Sequence, residues 1–273
     1  MKTPPPVDEH VVTANVPADI DRDRRFLVFA GTVLAALAVG LKSELIAPGS
    51  VWWVSAGLVL VAGPIVLVYL WARTRPALAG VEHFIPAVLG ALSVAGFAII
   101  LTNPFGFIVV TALFGTGFAF AARLDYDRLA GQPKRGHTFI QEAILAGALT
   151  GGYLAVVTAP FSLALKLAWI FAVSALAAFR SFRLSGDHPL PPRRAVLFSL
   201  LVAQVVAFFA WAIFSYISGV AEGVFAVMLL LAWYINRGVI RHTAEESLTR
   251  HVVMEYGLFA ALLAFLFVYS YRG

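Results

Sequence analysis

His242 and Glu246, and again His251 and Glu255, stand four residues apart, the spacing that sets an imidazole and a carboxylate on one helix face. Such pairs can ligate a divalent metal or relay protons. Gln141, Glu142, Glu245 and Tyr256 stand in the same polar flanks, as does His137, and together they form the chain's one constellation with the composition of a site. Its full metal-ligand set is His137, Glu142, His242, Glu246, His251 and Glu255. The same carboxylates also fit plain ion pairing close to water, with Arg135, Arg241 and Arg250 as neutralising partners.

Lys166 is a second candidate, six residues past Pro160, while Tyr153 lies seven residues before that proline. An antiparallel hairpin turning at Pro160 sets the two at similar height, where the phenol can accept a hydrogen bond from the ammonium. Glu44 and Glu222 are counter-charges for a snorkelling Lys166; the other reading is an ammonium that binds an anionic lipid, substrate or cofactor group. Gln204 falls near the middle of an apolar run, where an amide ties helices together. Glu142 and Lys166 approach opposite faces, roughly 15 Å apart in level across a ~30 Å hydrocarbon core, so they mark two ends of a path and not one dyad.

The elements that hold these residues are membrane spans. Of 273 residues 60% are hydrophobic and only 13% charged, and the mean hydropathy is +0.86. A soluble fold of this length carries far more polar surface. Apolar runs fall near 26–41, 51–71, 84–101, 106–122, 138–159, 161–179, 195–217, 219–235 and 252–270, each close to the ~20 residues that cross hydrocarbon. The expected fold is therefore all-α, a polytopic bundle of about nine transmembrane helices over residues 26–273. Residues 1–25 read as a flexible polar tail, with a Pro4-Pro5-Pro6 run and no signal-peptide core. The Asn103-Pro104 and Gly106 breaks leave open whether 84–122 is two full spans or a re-entrant pair.

With the N-terminus cytoplasmic and the C-terminus outside, 17 of the 20 Lys and Arg fall on the inner side, the asymmetry expected of an inner-membrane protein. Lys42, Lys166 and Arg272 are the remainder. Trp233, Tyr234, Tyr216 and Tyr269 sit near span ends as interfacial anchors. Gly147 with Gly151, and Gly219 with Gly223, read as small-residue contacts between helices.

Known reaction signatures are incomplete. Glu245-Glu246-Ser247-Leu248-Thr249-Arg250 resembles the Glu-Glu-x-x-x-Arg string of intramembrane prenyl-protein endopeptidases, but the family's two further histidine motifs do not follow it. Asp125-Tyr126-Asp127, flanked by Arg123 and Arg128, reads as a solvated loop and not as half of a diphosphate-magnesium site. Absence of cysteine removes disulfides and thiolate chemistry. Scattered basic residues at span ends argue against nucleic acid.

The first functional expectation is non-enzymatic: a subunit or scaffold packed against other membrane subunits or its own copies in the bilayer, or a binder of a lipophilic ligand. A small-molecule or proton-linked transporter using Glu142, Tyr153, Lys166, Gln204 and Glu255 is the alternative. A metal-dependent enzyme at the cytoplasmic face is the third. No particular cofactor is indicated.

Overall fold

A computed structural model describes residues 136–184, 190–217 and 219–272, together with 85, 86, 88–90, 93, 105, 109, 120, 121, 124 and 125 upstream. The expected spans over 26–122 and the N-terminal tail lie outside the continuously described chain. The described part is all-helical, with five long helices: α1 His137–Thr158, α2 Leu163–Leu184, α3 Pro192–Tyr216, α4 Glu222–Ala244 and α5 Arg250–Arg272. All five are long and apolar enough to cross a membrane.

Their boundaries follow from local chemistry. Pro160 cannot continue α1, whose end is closed by the Ala159 amide donating to the Ala155 carbonyl at 3.1 Å. Pro192 opens α3, where its missing N–H costs nothing. Gly219 turns the chain from α3 to α4 at φ +84°, a conformation open to glycine. Glu222 lies in the first turn of α4, and Arg241 and His242 in its last, charges that complement the helix dipole.

Two spans run further than their apolar runs. The expected end of the sixth was 179 and of the eighth 235, yet α2 continues to Leu184 and α4 to Ala244. Arg180 and Arg237 are therefore helical residues inside the bundle and not loop cations; they are 4% and 6% exposed.

Neighbouring helices run antiparallel, as their end-to-end contacts require. Phe182 near the end of α2 meets Phe198 near the start of α3, and Phe214 near the end of α3 meets Phe225 near the start of α4. The most extensive interface joins α2 to α3; α4 packs on α1 and α3, and α5 packs on α4. Alanines 177, 178, 203, 210 and 226 are fully buried, and these small side chains let helices approach without a strong hydrophobic drive between them.

The expected glycine contacts divide. Gly151 abuts Ser93, where an added Cβ would come within 2.5 Å of the serine Cβ. Ser93 Oγ shares its proton between the carbonyls of Leu89, at 2.6 Å, and Ala148 on α1. Gly219 instead serves its turn and Gly223 is exposed, so among the described residues this second pair makes no helix contact. A close approach the sequence reading missed lies at Gly238, against the Tyr256 ring of α5.

Candidate functional site

The polar residues of the bundle gather at one end, where α1, α3 and α5 begin and α2 and α4 finish. Gln141 and Glu142 are adjacent on α1, and Arg180 and Ser181 are adjacent on α2. Gln141 and Arg180 serve one carboxylate, Asp125, and Ser181 serves another, Glu142 itself. Asp125 receives Gln141 Nε2 at 2.8 Å and Arg180 Nη2 at 2.9 Å to each oxygen. Glu142 receives Ser181 Oγ at 3.0 Å and Arg237 Nη2 from α4. Asp125 is helical and 1% exposed, which corrects its reading as a solvated loop residue. Burial of that ion pair is tolerable because the amide of Gln141 supplies a further hydrogen bond.

A second tier lies seven residues deeper on α2, roughly 10 Å at 1.5 Å per residue. There Ser174 exchanges a hydrogen bond with the Tyr153 hydroxyl at 2.7 Å, and its carbonyl accepts from Trp233 Nε1 at 3.2 Å. This ties α1, α2 and α4 through one residue. Trp233, expected at the interface, is a core residue, 1% exposed. The Arg237 guanidinium lies 5.7 Å from the centre of its ring, and Arg237 Nε is buried with no hydrogen-bond partner among the described residues.

A cleft of about 780 Å³ opens beside this network, floored by α4 and walled by α1 and α5. Phe139, Ala143 and Ala146 form its apolar wall, while Arg237, Arg241, Glu245 and Glu255 bring charge to it. Arg241 Nε donates to Glu245 at 2.8 Å within α4. Glu255 accepts a hydrogen bond from the Tyr234 hydroxyl at 2.9 Å. Tyr234 and Tyr256 stand with ring centres 5.8 Å apart across the contact between α4 and α5. A smaller apolar cleft, about 520 Å³, separates the other ends of α4 and α5.

The remaining expected site residues are placed individually. His242 and Glu246 do not share a helix face, because α4 stops at Ala244 and Glu246 takes a left-handed backbone at φ 52°. The turn is closed by the amides of Glu246 and Ser247 donating to the carbonyls of Thr243 and His242, at 3.3 and 2.9 Å. His242 Nδ1 hydrogen-bonds Ser247 Oγ at 2.9 Å. His251 and Glu255 share α5, both exposed; the His137 side chain lies outside the described residues. Among the described residues no three of His, Asp or Glu are grouped to hold a metal ion.

The expected bond from Lys166 to Tyr153 is not formed. Lys166 Nζ donates instead to the Val157 carbonyl at 2.6 Å and lies 5.6 Å from the Phe214 ring centre, while Tyr153 points inward to Ser174. Equal height does not imply equal azimuth around a helix. Gln204 is exposed on the outer side of α3 and ties no described helix pair. Glu142 takes a cation from Arg237, a partner that the sequence reading did not name. Asp125, Arg180 and Arg237 were missed as site residues; the signal available was that their flanks contain no helix breaker, so a helix extends one further turn past its apolar run.

The chain matches no family model, no curated protein and no solved structure.

Proposed function

We propose that this chain is a nine-span inner-membrane protein, N-terminus cytoplasmic and C-terminus outside, that holds a lipid-like amphiphile in the cleft among α1, α4 and α5 and carries out no chemistry on it. The observation that carries this reading is the cleft itself. Its apolar wall suits a hydrocarbon chain, its charged floor suits a polar head, and it stands at the end where Arg180, Arg183, Arg193, Arg194, Arg237, Arg241 and Arg250 gather. That end is the cytoplasmic headgroup level under the positive-inside rule. A protein built to bind a chain-bearing ligand laterally needs such a polar notch at headgroup depth.

The transport reading draws less support. Tyr153 is committed to Ser174, Lys166 to a carbonyl, and Gln204 faces outward, so the described residues named for transport form no polar series through the bundle.

The test is replacement of Ala143, an exposed residue of the cleft wall, with tryptophan. Protein purified in mild detergent is analysed by native mass spectrometry for retained amphiphile. Wild type is expected to carry it at near one per chain and Ala143→Trp at least tenfold less, with an unchanged melting profile. Equal retention by both removes the cleft as the binding place.

A further inference from the structure

The charges of the cleft are unequally satisfied. Glu142 and Glu245 each hold an arginine, and those two arginines, Arg237 and Arg241, are the guanidinium groups of the lining. Glu255 is different. Its one hydrogen bond is from the neutral Tyr234 hydroxyl, and no Lys or Arg reaches it among the described residues. A carboxylate offers about four acceptor positions, so most of its capacity is unfilled. Among the described residues the lining counts three carboxylates against two guanidinium groups, and the excess negative charge resides on Glu255.

The surroundings of that carboxylate have a particular chemistry. Tyr234 and Tyr256 flank it, and His242 lies 6.0 Å from the Tyr256 ring centre. Aromatic faces beside an unneutralised carboxylate attract an organic cation twice, through the ring quadrupole and through a charge-assisted hydrogen bond. An anionic head meets the opposite situation, because the guanidinium groups it would approach already serve Glu142 and Glu245 and the Glu255 carboxylate repels it. An ammonium adds to Glu255 and breaks nothing.

Resting on the amphiphile-binding reading, we propose that the cleft selects amphiphiles whose polar end is a cationic amine, held by Glu255 and the Tyr234–Tyr256 pair, with the chain lying along Phe139, Ala143 and Ala146. The amine can belong to a lipid head such as ethanolamine or to a free single-chain amine. Glu255 stands about 7 Å along α5 from Arg250 at 1.5 Å per residue, a depth that matches a head at the interface and a chain directed into lipid.

The test uses the full chain in a neutral detergent with three single-chain probes: dodecylammonium, lysophosphatidylethanolamine and lysophosphatidylglycerol. Adducts are quantified by native mass spectrometry. Wild type is expected to hold at least one of the two amines tenfold or more above the glycerol lipid. Retention of both identifies the ammonium as sufficient, of the ethanolamine lipid alone a lipid head, and of dodecylammonium alone a free amine. Glu255→Gln is expected to erase the preference and Glu255→Asp to restore part of it, with melting curves confirming that both fold. A wild-type preference for the glycerol lipid, or an unchanged amine preference in Glu255→Gln, overturns the proposal. Glycerol-lipid binding that Ala143→Trp blocks would overturn the amine selection alone, whereas failure of every probe to bind removes the amphiphile reading with it.

Discussion

Glu246 is the single described non-glycine residue with positive φ, and it occupies the position after a helix end where glycine is usual. The turn it completes sets α5 back against α4 and so fixes the mouth of the cleft between Glu245 and Ser247. Its backbone carries a steric cost of roughly 1–2 kcal/mol, because an L side chain crowds its own carbonyl there. Glu246→Gly is accordingly expected to raise the detergent melting temperature, by the equivalent of about 1 kcal/mol after the greater freedom of glycine in the unfolded chain is deducted. A fall in melting temperature would mean that the Glu246 side chain makes a contact stronger than this strain. The residue scale also explains why histidine spacing misled: four residues place two side chains on one face only while the helix lasts, and α4 ends between His242 and Glu246.

At the scale of elements, glycine spacing and alanine packing have separate roles. Gly151 admits Ser93 against α1, and Gly238 admits the Tyr256 ring against α4, both at distances that leave no room for a Cβ. Gly223, at similar spacing from Gly219, faces open space. Gly151→Ala is thus expected to destabilise the protein by about 1–3 kcal/mol through overpacking, read as a lowered melting temperature. Gly223→Ala is expected to leave it unchanged or raise it by up to about 1 kcal/mol, because alanine is the better helix former. Equal effects from the two would show that contact with Ser93 does not limit the approach to α1. The same scale accounts for α5, which touches α4 and leaves most of its apolar surface outward, including Val253, Leu258, Phe265 and Tyr269. In lipid such a face carries no penalty.

For the whole molecule, the antiparallel order of five helices places successive connections on alternate sides. The proposed orientation makes Ser162 external and Leu248 internal, and the chain's lack of cysteine makes single-cysteine labelling direct. Thr3→Cys and Leu248→Cys are expected to react with an impermeant maleimide only after the membrane is opened, and Ser162→Cys and Gly273→Cys from outside. Reaction of Thr3→Cys and Gly273→Cys from one compartment would contradict an odd span number. Much of this organisation was legible in the chain alone: apolar runs near 138–159, 161–179, 195–217, 219–235 and 252–270 locate α1 to α5, since crossing hydrocarbon demands a length and a polarity that composition records. The sequence also singled out Glu142 and Glu255, because a carboxylate next to an apolar run stands out residue by residue. Which groups meet was decided by tertiary structure. Azimuth around each helix and the distance each helix runs past its apolar stretch select Arg237 for Glu142, Arg180 for Asp125 and Ser174 for Tyr153. They leave Glu255 facing a cleft with a tyrosine as its hydrogen-bond donor, because pairing depends on rotation and reach between helices that are distant in sequence.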